Sequence, residues 1–147
     1  MRVAVHAFAL MVNHYHLLLT AHDADHLSKS MGALAWRYSR YFNAKYERTG
    51  TLWDARFHSS VVDTEAYLLR CLRYIEQNPV RAGIVATPDA YEWSSYRSHG
   101  DNKSIDWLTP HAVYVALGSS AEERAAAYRA LCGARLNDDE LLSFRLR

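Results

Sequence analysis

The sequence predicts an α+β domain followed by a helical C-terminal extension, and three observations carry that expectation. Two short apolar runs near the N-terminus, Val3 to Met11 and Tyr15 to Thr20, are separated only by Val12-Asn13-His14. So short a link suits an antiparallel hairpin with Asn at the turn. Two longer segments further on repeat apolar residues at helical spacing, and the last third shows helix starts without strand-like runs. With 147 residues, half of them hydrophobic and 22% charged, the chain can bury one core and is too apolar for general disorder.

Each element has a local reason. Asp25 is placed to cap a helix running to about Glu47, with Leu27, Met31, Leu34, Tyr38 and Phe42 as its apolar face and Thr49-Gly50 as its end. Leu52 to Val62, with Phe57 and two adjacent valines, reads as one or two extended segments. Asp63 or Thr64 caps a second helix whose buried stripe is Leu68, Cys71, Leu72 and Ile75, and Pro79 is expected to close it. A turn-rich segment from Thr87 to Asn102 follows, then a short helix near Thr109-Pro110. A further helix opens with a capping box, Ser120 and Glu123, and a polar tail ends the chain.

Composition excludes several function classes. Seventeen Lys and Arg against sixteen Asp and Glu leave a net charge of +1, so bulk charge does not mark a polyanion binder and any nucleic-acid argument rests on local patches. No apolar run approaches the ~20 residues of a membrane span, and the first ten residues lack the pattern of a signal peptide. Cys71 and Cys132 show no paired spacing, which fits reduced thiols. Neither a phosphate-binding loop nor a dinucleotide fingerprint is present.

Three constellations carry chemistry. His14-Tyr15-His16 opens a strand, so alternation puts both imidazoles on one face, where they can close on one metal ion. Alone, the pair is a weak signal and more often describes an ordinary strand with two histidines at its mouth. On the second helix, Tyr74 and Asn78 lie one turn apart on the flank of the apolar stripe, with Tyr67 and Cys71, while Gln77 falls on the solvent side. Tyr74 is thus a candidate nucleophile and Asn78 a candidate amide-oxygen ligand; a boundary tyrosine and a residue ending a helix would look the same. On the long helix, Lys29, Trp36 and Arg40, with Arg37 beside them, oppose the apolar face. From Leu27 to His58 six cations stand against Glu47 and Asp54. An exposed Trp among cations fits single-stranded nucleic acid, and also fits a solvated face with Trp36 covered by other chain.

Four ordered motifs then carry a resemblance. They are Met11-Val12-Asn13-His14-Tyr15-His16, Gly50-Thr51-Leu52-Trp53-Asp54-Ala55-Arg56-Phe57, Tyr74-Ile75-Glu76-Gln77-Asn78-Pro79-Val80-Arg81-Ala82-Gly83 and Trp93-Ser94-Ser95-Tyr96. The sequence resembles the IS200-like single-tyrosine (Y1) transposases of the HUH superfamily, most nearly their REP-associated tyrosine branch, over roughly Val3 to Leu117. The resemblance implies a ferredoxin-like antiparallel sheet flanked by helices, with residues 1–100 as the transposase-like domain and 101–147 as the helical extension. It implies His14, His16 and Asn78 as ligands of Mg2+ or Mn2+, Tyr74 as nucleophile, and single-stranded DNA with a hairpin as partner. Lys29, Trp36, Arg37, Arg40 and Arg56 are the expected DNA-binding residues.

The expected activity is that of a DNA strand transferase, cytoplasmic or nucleoid-associated and monomeric or dimeric. It would cut and rejoin DNA through a 5′-phosphotyrosine intermediate. Family members usually begin with another strand and helix, and this chain is expected to lack them. That lack favours an alternative, a non-catalytic DNA-hairpin-binding protein that kept the fold.

Overall fold

The computed structural model describes residues 3–133, which fall into two compact units, one of residues 4–19 and 62–133 and the other of residue 3 with residues 20–61. In the first unit, β1 (Ala4–Leu10) pairs with β2 (Tyr15–Thr20). The four-residue link makes the pair antiparallel, and the Met11 N–H closes the turn on the His14 carbonyl at 2.8 Å. The other edge of β1 is taken by the chain itself. Leu10 N–H donates to the Trp93 carbonyl (2.8 Å), Ser95 N–H to that of Phe8 (3.0 Å) and Thr109 N–H to that of Val5 (2.8 Å). Ala7, Phe8 and Ala9 are buried, as expected for a strand covered on both faces.

The helix α2 (Glu65–Arg81) starts where Thr64 accepts the Tyr67 N–H on its hydroxyl. Its predicted stripe of Leu68, Cys71, Leu72 and Ile75 is buried in one core with Ala7, Ala9 and Leu18. Leu72 is fully buried, a burial that stabilises by about 1.5–3 kcal/mol. The predicted end at Pro79 is corrected. The helix runs on to Arg81, because a proline near a helix C-terminus removes a single donor. The actual stop is Gly83, with φ of 69°. There Gly83 N–H reaches the Val80 carbonyl (3.0 Å) and Ile84 N–H that of Pro79 (2.9 Å), a Schellman ending. Gln77 also departs from expectation. Instead of facing solvent it is half-buried, with Nε2 donating to the Cys132 carbonyl at 2.7 Å.

The rest of this unit is helical: a 3-10 turn (Pro88–Ala90), then α3 (Tyr96–His99), α4 (Ala112–Val115) and α5 (Ala121–Gly133). The capping box is present, with Glu123 N–H bonded to the Ser120 hydroxyl (3.1 Å) and Glu123 Oε2 accepting the Ser120 N–H (3.3 Å). Tyr114 and Tyr128 lie in the same core as Leu72. Cys71 and Cys132 are free thiols. The predicted polar tail falls outside the described residues.

In the second unit, α1 (Ala24–Lys45) is capped by Asp23 rather than Asp25. Asp23 Oδ1 accepts the N–H of His26, three residues on, at 2.8 Å, which is the reach of an N-cap, while Asp25 falls inside the first turn. The His26 N–H, followed by the His22 and His26 side chains, holds the Asp23 carboxyl well below the usual range. The expected apolar face is not a buried one: Met31 is buried, but Leu34 and Tyr38 are exposed. No strand forms between Leu52 and Val62. That stretch is tied to α1 instead, through Trp53 Nε1 to the Ala35 carbonyl (3.1 Å) and an Arg56 guanidinium N–H to the Ser28 hydroxyl (3.1 Å). The fold is therefore α+β, and no helix among the described residues is long and apolar enough to cross a membrane.

Candidate active site

The hairpin and α2 bring three of the expected site residues together. His14 ends the turn and His16 lies on β2, and their rings sit nearly perpendicular with centroids 5.1 Å apart. Because α2 packs its apolar stripe on β1, Tyr74 on the flank of that stripe reaches the neighbouring strand. Its ring lies 5.8 Å from that of His16, at 85°. Asn78, one turn on, bonds through Nδ2 to the Tyr74 carbonyl at 2.9 Å, and it hydrogen-bonds neither imidazole.

The donor chemistry fits a divalent cation. His14 Nδ1 is paired with Asn13 Oδ1 at 2.8 Å, which fixes the ring and leaves Nε2 as its other donor. Burial, then His14, then Arg81 push His16 below its usual value, so its imidazole is neutral and has a lone pair to offer at neutral pH. With its Nδ2 committed to the helix backbone, Asn78 has its amide oxygen left to ligate. Two imidazole nitrogens and an amide oxygen suit Mn2+ or Zn2+ at least as well as Mg2+, and do not suit a pure Ca2+ site.

Sequence reasoning missed one member of this cluster. The guanidinium carbon of Arg81 lies 4.7 Å from the centroid of the Tyr74 ring. Arg81 is exposed and forms no ion pair among the described residues. The signal was present as a spacing of seven, two helical turns, but it is readable only if the helix continues through Pro79.

Behind the site, on the buried side of α2, Glu76 anchors a polar network that sequence reasoning also missed. It is fully buried and accepts from the Ser95 hydroxyl, His99 Nδ1 (2.7 Å) and the Tyr128 hydroxyl (2.6 Å). Ser95 also holds the Phe8 N–H at 2.9 Å, and Tyr114 donates to the His99 carbonyl at 2.9 Å. Glu76 lies between Tyr74 and Asn78 in sequence, so this network fixes the rotation of the helix that presents them. The Trp93-Ser94-Ser95-Tyr96 motif thus has a structural part in the fold.

The expected DNA-binding residues belong to the other unit. Trp36 is 59% exposed, and the Arg40 guanidinium lies 4.8 Å from its ring centroid. Arg37 is exposed beside them. Lys29 is paired with Asp25 at 2.5 Å, and Arg56 also lies over the Phe57 ring. Lys45 lies near the exposed Tyr41 and Tyr46 rings, which extends the cation-aromatic surface.

An antiparallel hairpin and a packed helix that bring the His16 imidazole beside the Tyr74 phenol define an α+β protein with a histidine–tyrosine cluster at the hairpin. The family described as Transposase IS200 like matches residues 1–78, a little over half of the chain, and the chain belongs to that family. Membership points to transposition as the class of function and to DNA as the partner. No curated protein and no solved structure matches the chain.

Proposed function

We propose that this chain is a metal-dependent DNA strand transferase that cleaves and rejoins single-stranded DNA near a hairpin, with Tyr74 as nucleophile. The observation that carries the reading is the approach of Tyr74 to His16 across α2 and β2. In the reaction the Tyr74 phenolic oxygen attacks a backbone phosphorus, forming an O–P bond as the P–O3′ bond breaks. The phenol proton is released and the departing 3′-oxygen gains one, leaving a 5′-phosphotyrosine and a free 3′-OH. That 3′-OH, or another, reverses the step, so the bond energy is kept in the ester and no nucleotide cofactor is required.

The chain's own residues orient this attack. His16 stands perpendicular to the phenol ring with His14 perpendicular to His16, and Arg81 lies over the phenol face, where its guanidinium can donate to an entering phosphate. A phenol that keeps its proton is a poor nucleophile, so the reaction calls for a cation that polarises the phosphate. His14, His16 and Asn78 are the residues that would hold Mg2+ or Mn2+, which when bound supplies Lewis-acid polarisation of the phosphate. Trp36 with Arg37 and Arg40 offers a stacking and phosphate-binding surface, with Lys29 and Arg56 as further cations. The resemblance over the four ordered motifs supports the REP-associated branch, and a place in the cytoplasm or on the nucleoid accords with a DNA substrate.

The test is an SDS-resistant protein–DNA adduct on hairpin-bearing single-stranded oligonucleotides with Mg2+ or Mn2+. The wild-type chain forms it and Tyr74→Phe does not, while both bind the DNA. An adduct persisting in Tyr74→Phe overturns the assignment.

A further inference from the structure

A second set of metal-ligating side chains converges at the start of α1, and the proposed function uses none of them. Asp23 Oδ2 lies 3.0 Å from His22 Nδ1 and 2.9 Å from His26 Nδ1. The ligand atoms of the three residues all lie within 4.8 Å of one another, and the two imidazole centroids are 5.3 Å apart. The geometry points to a metal site for a first-row divalent transition ion, with Zn2+ as the type, formed by His22 Nδ1, His26 Nδ1 and Asp23 Oδ2.

Three arguments support it. First, a tetrahedral ion with bonds of about 2.0–2.1 Å separates neighbouring ligand atoms by about 3.3–3.4 Å, and the His–Asp distances of 2.9 and 3.0 Å need open only slightly to reach that spacing. Bringing the two imidazoles nearer each other takes only rotation of side chains that are 82% and 42% exposed. Secondly, the roles of the two carboxylate oxygens separate. Oδ1 caps the helix by accepting the His26 N–H at 2.8 Å, so Oδ2 can ligate without uncapping α1. Capping needs neither imidazole, yet both point Nδ1 at the same carboxylate. Thirdly, two imidazole nitrogens and one carboxylate oxygen select Zn2+, Ni2+ or Co2+ over Mg2+, which prefers all-oxygen octahedral sites. With three protein ligands and an exposed position, water completes the coordination. The site binds an ion across the first turn of α1, and none of its residues is shared with His14, His16 or Asn78.

The experiment is a calorimetric Zn2+ titration of the chelator-treated full chain, repeated with Co2+ by visible absorption. The wild-type chain binds one Zn2+ more than His22→Ala does. In a His14→Ala/His16→Ala background one Zn2+ still binds, and His22→Ala or Asp23→Asn there weakens it about tenfold or more. Millimolar Mg2+ does not displace it. His22 is a surface residue, so its loss leaves the fold intact, and Asn preserves the cap at position 23; unchanged circular dichroism verifies both. Equal stoichiometry and affinity in wild type and His22→Ala, or no Zn2+ bound in the background lacking His14 and His16, overturns the proposal. Because the readout needs no DNA, it stands or falls separately from the strand-transfer reading.

Discussion

Arg81 lies across the face of Tyr74, its guanidinium carbon 4.7 Å from the ring centroid and seven residues further along α2. The proposed nucleophile and the cation thus share one helix face, with Asn78 between them. Removing a preorganised donor from a developing phosphoryl charge typically slows catalysis about 10²–10³-fold. We expect Arg81→Ala to slow adduct formation by about that factor at saturating DNA, and Arg81→Lys to recover part of the rate. Single-turnover adduct kinetics decide it, since equal rates in wild type and Arg81→Ala remove Arg81 from the reaction.

Variants of Trp36 and Arg40 test two components of the proposed DNA surface. Base stacking on an exposed aromatic contributes about 1–3 kcal/mol, so Trp36→Ala is expected to weaken single-stranded DNA binding at any salt concentration. Arg40→Ala is expected to flatten the salt dependence by about one counterion. Fluorescence anisotropy across a salt series reads both, and an unchanged affinity in Trp36→Ala places stacking elsewhere.

Loss of Glu76, fully buried and accepting three hydrogen bonds, is expected to destabilise the fold. Each buried donor left without its acceptor typically costs about 1–3 kcal/mol. Glu76→Ala leaves His99 Nδ1 and the Tyr128 hydroxyl without their acceptor, while the Ser95 hydroxyl keeps only its longer bond to the Phe8 carbonyl at 3.3 Å. Urea unfolding is expected to show a loss of that order, and a smaller one for Tyr128→Phe, near the ~1 kcal/mol of a single hydrogen bond. A Glu76→Ala protein as stable as wild type contradicts this account of the core.

His6 makes the fold sensitive to acid. Burial lowers its pKa below the ordinary value of about 6.5, outweighing its bond to the Thr109 carbonyl at 2.7 Å. The unfolded chain therefore binds the proton more readily. The stability linked to His6 is complete above about pH 6.5 and is lost as pH falls through that value towards the lower folded pKa. Urea midpoints at about pH 7.5 and 5.5 are expected to fall further for wild type than for His6→Asn. Equal falls would assign the acid sensitivity to other groups.

Much of this was legible in the sequence, for reasons that differ by element. The hairpin and the stripe of α2 were readable because alternation and helical period are local signals. The capping box at Ser120 was readable for the same reason. Pro79 misled because a proline marks a helix end only on average, and the deciding residue was Gly83. Reading past it would have placed Arg81 over Tyr74. The extended reading of Leu52 to Val62 failed because Trp53 and Arg56 are used against α1, a tertiary choice that apolar content does not reveal. The Glu76 network joins residues nineteen to fifty-two positions apart, and no local pattern announces it.

The central claim is that a phenol on α2 and two imidazoles from the hairpin act on one phosphate. The most direct measurement is mass-spectrometric mapping of the covalent DNA adduct, formed with Mn2+ and repeated after chelation and in His16→Ala. The account requires the nucleotide on Tyr74, with the adduct lost on chelation and in His16→Ala. An adduct on another tyrosine, or one on Tyr74 that survives both treatments unchanged, would contradict it.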